Sequence, residues 1–536
     1  MTPVIEFKNF SFAYPVADNG EKLILNNIDL KIEEGEFSVI YGPTGSGKST
    51  LLKQIKRQIK PHGKSSGEIL YFGRNIDELD DYKSVCEIGY VFQDPDNQIV
   101  ADEVWHELAF SLENIGVPTH DMRKRIGEMA CFFGIENLLD KSVHELSGGQ
   151  KQIVNLCSVL LLQPKILILD EPVSQLDPIN AREFLKIIRQ IIREFDITVV
   201  LSEHRLEDIY FTADRIIVLE NGGIKYNNVP DIAAYSSVND KNLKNFLPEL
   251  AKLYFKNENN INFMMPKSIR EYKAWIKNFN IRENQLKNDD IIYEDIISCK
   301  NINYKYSKNQ PDILKDLELS AGAGEILSVL GGNGAGKSTL LKILSGILKP
   351  QKGRIINKNN GRIGYLAQNP KAYFLYDTVG KEIYERAKYL KTDLKYIDYL
   401  VSLFNIEKIL NLHPHDISGG EQQLTAFFTV MLENPDILLL DEPTKGLDPN
   451  IKRGFFDILY KLKKQGKAII IATHDIEFAA RYSDSCCFIF GGEIINKYKS
   501  REFFSGNYFY TTGVNKVFRD FNRNIICIED VILDKK

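Results

Sequence analysis

Short, continuous apolar runs alternate with longer stretches of helical period along the 536-residue chain. Residues 5–14 and 24–37 alternate or cluster apolar positions, which predicts short strands leading into a glycine-rich turn at 42–50. Residues 88–92 read as a buried strand ending at Gln93, and residues 103–133 carry a helical period. The run PKILILDEP (164–172) is apolar without alternation and closes on Asp170 and Glu171, the pattern of a strand in a parallel sheet covered on both faces. A helix predicted over 180–195 leads to a second such strand, ITVVLSEH (197–204), and residues 215–224 read as a closing hairpin.

The same order then returns. Lys48 corresponds to Lys337 at an offset of 289, Gln93 to Gln368 at 275, Ser147 to Ser418 and Asp170 to Asp441 at 271, and His204 to His474 at 270. Nearly constant spacing over the later landmarks marks an internal duplication. The reading is therefore a first domain at 1–230, a partly helical linker at 231–290, a second domain at 291–506 and a tail at 507–536. In the linker, Leu243, Phe246, Leu247, Leu250 and Tyr254, then Ile269, Tyr272, Trp275 and Ile276, fall at helical spacing and predict packing.

The turns at the head of each repeat supply the chemistry. GPTGSGKST (42–50) and GGNGAGKST (331–339) are loops whose backbone N–H groups can wrap a triphosphate. In the first, Gly42, Thr44, Gly45, Gly47 and Thr50 frame Lys48, which reaches terminal phosphates, and Ser49, whose hydroxyl can meet Mg²⁺. In the second, Gly331, Asn333, Gly334, Gly336 and Thr339 frame Lys337 and Ser338. A helix following each loop would turn its positive N-terminal end to the anion. A phosphate loop after a core strand, with another strand ending in Asp-Glu, defines an α/β nucleotide-binding fold.

Composition narrows this little. A net charge of −4 gives no reason to expect wholesale nucleic-acid binding, and the basic run 53–64 reads as a solvated helix face rather than a lipid headgroup contact. The seven cysteines form no C-x-x-C pair or zinc spacing, as expected for reduced thiols. The opening MTPVIEFKNF reads at once as a strand, so no secretory signal is expected. No apolar run approaches the roughly 20 residues that cross a bilayer, so in any membrane process a partner would supply the membrane part.

LSGGQKQ (146–152) and ISGGEQQ (417–423) make the chain resemble the ATP-binding cassette ATPases over nearly all of both halves. The resemblance implies two tandem cassettes, each with a mostly parallel core sheet, an antiparallel β subdomain and a helical subdomain. It also implies head-to-tail pairing with two composite ATP sites. The first would hold Tyr14 on adenine, Lys48 and Ser49 on phosphates and Mg²⁺, Gln93 near metal and water, Asp170 on the metal side, Glu171 as base and His204 at the γ-phosphate. Ser418, Gly419 and Gly420 would close it. The second would hold Tyr306, Lys337, Ser338, Gln368, Asp441, Glu442 and His474, closed by Ser147, Gly148 and Gly149. Taken singly, Tyr14, Tyr306, His204 and His474 would read as core or surface residues; their spacing to the other motifs promotes them.

Among tandem cassettes, DNA-maintenance ATPases are disfavoured by the missing zinc cysteines and coiled coil. A soluble translation factor acting on the ribosome is the alternative. The strings FQDPDNQ (92–98), SEHRLED (202–208), EPVSQLDP (171–178) and EPTKGLDP (442–449) look like the fused ATPase components of energy-coupling-factor transporters. That resemblance implies an importer of a vitamin, vitamin precursor or metal ion, peripheral to the cytoplasmic face of the membrane. Its partners would be a transmembrane scaffold and a small substrate-capturing membrane protein, with one chain per transporter rather than a homodimer. Docking grooves are expected at residues 94–105 and 369–382, with Trp105 and Tyr373 as candidate anchors.

Overall fold

A computed structural model describes residues 3–16, 20–174, 176–207, 209–258, 264–284, 293–308 and 310–536. Gln175, Asp208 and parts of the interval 231–290 lie outside the described residues. The chain divides into two compact units, Met1–Met265 and Pro266–Lys536.

In the first unit, strands Gly20–Ile32, Ile5–Val16, Lys64–Tyr71 and Arg74–Asn75 form an antiparallel sheet in that order. A six-stranded sheet runs Gly223–Asn228, Arg215–Glu220, Phe37–Tyr41, Thr198–Ser202, Ile166–Asp170, Ile88–Val91. Its last five strands are parallel, and the final hairpin alone is antiparallel. Phe37–Tyr41, Ile166–Asp170 and Thr198–Ser202 are buried at every position, which is why their sequences show no alternation. The helical stretch after Glu103 divides into Val104–Asn114 and Thr119–Phe133. Gly116 at φ 77° and Pro118 interrupt it, the first by its left-handed backbone and the second by its missing N–H. With Gly148–Leu160 these helices bury a separate apolar cluster around Leu108, Ile126, Leu138 and Val154.

The second unit repeats the plan. Strands Leu314–Gly322, Asp295–Tyr304 and Lys352–Asn357 form its antiparallel sheet. The six-stranded sheet runs Ile363–Leu366, Ile437–Asp441, Ala468–Thr473, Ile326–Leu330, Ser485–Phe490, Glu493–Lys499. Helices Val379–Leu390, Leu394–Phe404 and Gly419–Met431 pack around Leu400, Phe404, Phe427 and Phe428.

The interval between the repeats is shared by the two units. Pro230–Val238 and Glu249–Asn257 are helices of the first, with Leu243, Phe246, Leu247 and Tyr254 buried. Phe246 stacks on Tyr41 at the end of the phosphate-loop strand, ring centroids 5.9 Å apart, and Tyr41 hydrogen-bonds Ser237 at 2.7 Å. Ile269–Trp275 and strand Phe279–Glu283 belong to the second unit, and that strand pairs with Val531–Lys535 of the tail. The basic run departs from the solvated face expected of it. The helix ends at Gln54, and Lys56 turns inward to donate to the Ser84 and Val85 carbonyls at 3.0 and 3.1 Å. Those carbonyls close the last turns of helix Asp81–Glu87, where a cation is favoured; burial lowers the Lys56 pKa to about 8.

Phe246→Ala removes a buried ring and is expected to cost the first unit about 3 kcal/mol. Hydrogen exchange on the full chain should then speed up in peptides from 37–41 and 230–258 and stay unchanged in peptides from 293–536.

Candidate functional site

Each core sheet ends in the same cluster of polar groups. Parallel pairing sets Ile40 beside Ser202 and Ser202 beside Asp170, so three strands finish at one level and their next residues face a common edge. The phosphate loop leaves the Phe37–Tyr41 strand there and enters helix Lys48–Gln54 through Gly47 at φ 102°. Only glycine takes that backbone without strain, and an added Cβ would also meet Leu25 at 2.9 Å. Gly336 enters helix Lys337–Leu344 in the same way at φ 103°. Lys48 donates to the carbonyls of Gly42 and Pro43 at 2.9 and 3.2 Å; Lys337 donates to those of Gly331 and Gly332 at 2.8 and 3.1 Å.

Ser49 donates to Asp170 Oδ1 and Ser338 to Asp441 Oδ1, both at 3.0 Å. Asp170 also accepts from Ser202 at 2.7 Å and Tyr90 at 3.0 Å, and Asp441 accepts from Tyr365 at 3.3 Å. Burial raises the pKa of both aspartates; Ser202 and Ser49 pull Asp170 back, and Ser338 does the same for Asp441. The hydroxyl and carboxylate of each pair are hard oxygen donors, the set that Mg²⁺ takes.

Glu171 and Glu442 follow at φ 47° and 49°, a conformation unusual for a residue with a Cβ. Glu171 N–H is held by the Ser202 carbonyl at 3.1 Å, and Glu442 N–H by the Ala472 carbonyl at 2.8 Å. His204 Nε2 lies 2.8 Å from Glu171 Oε1, and His474 Nδ1 lies 2.9 Å from Glu442 Oε2. Burial raises the Glu442 pKa, but the His474 hydrogen bond and the charges of His474 and Lys337 outweigh it and leave the carboxyl below its ordinary value. Gln93 Nε2 donates to Glu171 Oε2 at 2.8 Å; Gln93 and Gln368 are both exposed residues at corresponding places.

The tyrosines come from the antiparallel sheets. Tyr14 reaches Thr50 at 3.4 Å and Tyr306 reaches Thr339 at 3.2 Å, which sets each ring beside the start of its phosphate-loop helix. Ser147 and Ser418 each cap a 13-residue helix in a closed capping box, with Gln150 and Glu421 as partners. Gly148 and Gly149, like Gly419 and Gly420, form the first turns behind those caps, where N–H groups lack intrahelical acceptors.

Both candidate anchors have structural duties. Trp105 packs partly buried on the helical cluster, and Tyr373 pins its loop by accepting from Ala367 N–H at 2.9 Å and donating to the Tyr365 carbonyl at 2.8 Å. Tyr90, Ser202, Tyr365 and Glu203 were not legible as site residues. They approach the carboxylates only across strands, although Ser202 and Glu203 stand directly before His204 in sequence. Glu107 was missed too: it takes the Val100 and Ala101 N–H groups at 2.9 Å and ties the loop after Gln93 to its helix.

Phosphate loop, serine, paired carboxylates and histidine on one parallel-sheet edge define a P-loop ATPase. The model of the ABC transporter family matches residues 25–174 and 314–445. A protein of Bacillus anthracis described as an ABC transporter ATP-binding protein is 43% identical over 98% of this chain and 97% of its own length. One of Bacillus subtilis, described as an HMP/thiamine import ATP-binding protein, is 29% identical over 90% of this chain and 89% of its own length. An archaeal ribosome recycling factor solved with a ribosomal stalk protein superposes with a TM-score of 0.59 at 21% identity, covering 92% of this chain and 91% of its own, a likeness of fold alone. The chain belongs to the ABC transporter family as an ATPase with two cassettes.

Ser202→Ala removes a hydrogen bond to the charged form of Asp170, so that carboxyl, already raised by burial, should titrate higher still. ATP turnover measured against pH is expected to fall more at pH 6 than at pH 8 relative to the parent chain.

Proposed function

We propose that the chain is the energy-coupling ATPase subunit of a membrane importer of the energy-coupling-factor type, taking up a vitamin, vitamin precursor or metal ion. The observation that carries this reading is end-to-end similarity to proteins described as transporter ATP-binding proteins, one of them named for import of HMP or thiamine. The recycling-factor likeness stays below 25% identity and adds no support for work on the ribosome.

In this reading each cassette hydrolyses ATP. Lys48 and Lys337 bind terminal phosphates, and Tyr14 and Tyr306 stack on adenine. Ser49 and Asp170, or Ser338 and Asp441, with Gln93 or Gln368 beside them, would hold Mg²⁺, which supplies charge neutralisation at the phosphates. Glu171 and Glu442 take the proton of the attacking water, and His204 and His474 orient those carboxylates and contact the γ-phosphate. The Ser147-Gly148-Gly149 and Ser418-Gly419-Gly420 helix ends offer N–H groups and a hydroxyl to a nucleotide phosphate.

Among the described residues no helix is long and apolar enough to cross a membrane. In this reading coupling runs through partners docked at the cytoplasmic face. The two grooves differ in chemistry. Asp102 and Glu103 are exposed near Asp94 and Asp96 in the first, and Leu375 and Tyr376 are exposed in the second. A transmembrane scaffold with two unlike cytoplasmic helices fits that difference, with a small capture protein choosing the substrate.

Affinity purification from gently solubilised membranes should yield two small hydrophobic proteins in fixed proportion; ribosomal proteins alone would refute the importer reading. Glu171→Gln and Glu442→Gln should each lower turnover by at least tenfold at their own site, read as partial losses in the singles and near-complete loss in the double. Asp96→Lys should release the scaffold while ATP binding, followed by fluorescent-nucleotide titration, holds within about twofold.

A further inference from the structure

The two histidine loops are copies of one design, but they differ at the residue before the histidine: Glu203 in the first cassette, Thr473 in the second. Glu203 is 1% exposed. Its Oε1 accepts from Val173 N–H at 3.2 Å, and its Oε2 accepts from His204 and Arg205 N–H at 2.8 and 3.3 Å. One carboxylate thus joins the backbone just after Glu171 to the backbone at His204. In the second cassette the Thr473 hydroxyl accepts from Asp475 N–H at 3.0 Å, and His474 N–H turns to Glu442 Oε2 at 3.4 Å. There the candidate base itself serves the histidine backbone. In the first cassette Glu203 relieves Glu171 of that duty, and the Glu171 oxygens meet His204 Nε2 and Gln93.

Threonine meets the needs of the fold in the second copy, so a buried carboxylate at this place is not a requirement of the loop. It also carries a cost, since burial and the charge of Glu171 push the Glu203 carboxyl up to about 7. We infer that Glu203 is a positioning residue for hydrolysis at the first site: it clamps the His204 loop to the segment after Glu171 and so makes the two ATP sites chemically unequal. The Phe246 ring lies beside the same histidine, ring centroids 6.2 Å apart, so His204 meets an aromatic ring as well as the backbone clamp.

This rests on the assignment of Glu171 and Glu442 as bases, and the test separates the two claims. The full chain is assayed with one site silenced at a time. With Glu442→Gln in place, Glu203→Thr should lower kcat about tenfold while KM for ATP stays within twofold, as for a group that orders the reacting geometry rather than binds substrate. Glu203→Gln, which keeps one acceptor oxygen, should recover part of the loss. With Glu171→Gln in place, Glu203→Thr should change nothing, and Thr473→Glu should alter kcat but not KM at the second site. Equal losses in both backgrounds, a loss carried by KM and melting temperature together, or no change in kcat would overturn the inference. Undiminished turnover in the Glu171→Gln/Glu442→Gln double variant would instead remove the base assignment, and with it the inference.

Discussion

The structure depends on the level at which its parallel strands end. Because Ile40, Asp170 and Ser202 share a register in the first unit, the phosphate loop, the paired carboxylates and the histidine loop leave the sheet at one edge. Adjacent parallel strands lie only about 4.8 Å apart, so groups at their ends come within hydrogen-bonding reach with no further device. The Ser49–Asp170–Ser202 chain of hydrogen bonds is the direct product of that register. Val329 and Asp441, both paired with Ala472, repeat it in the second unit.

This arrangement stores conformational cost where the chemistry is proposed to occur. Glu171 and Glu442 sit in left-handed backbone, and Asp170 and Asp441 are buried beside them with raised pKa values. Such costs are sustained by the apolar strands beneath, which are buried at every residue and leave the ends little freedom to relax. A cation facing Ser49 and Asp170 would offset the desolvation of that carboxylate.

Duplication makes the molecule its own control. The phosphate loops agree to within 1° in φ and 3° in ψ at their capping glycines, so that geometry is set by the sequence they share. The histidine loops and glutamine loops do not agree. His204 meets its glutamate through Nε2 and His474 through Nδ1, and the segment after Gln93 is acidic where the segment after Gln368 is aromatic. Two cassettes with a common scaffold therefore carry different second layers around similar reacting groups.

Much of this was written in local patterns. The phosphate loops, the Asp-Glu strand ends, the α/β alternation and the repeat follow from short segments whose chemistry needs no distant partner, and so residue order alone determined them. The division of residues 231–290 between the units was not legible. The helical spacing of Phe246 showed that it packs, but not that it packs on Tyr41 and His204. The inward turn of Lys56, the ring of donors on Asp170 and the Glu203 clamp were decided by tertiary structure alone. Each joins groups separated by about thirty residues or more, or depends on which backbone N–H is left without a partner once the strands have paired, and no periodicity in a single chain carries that information.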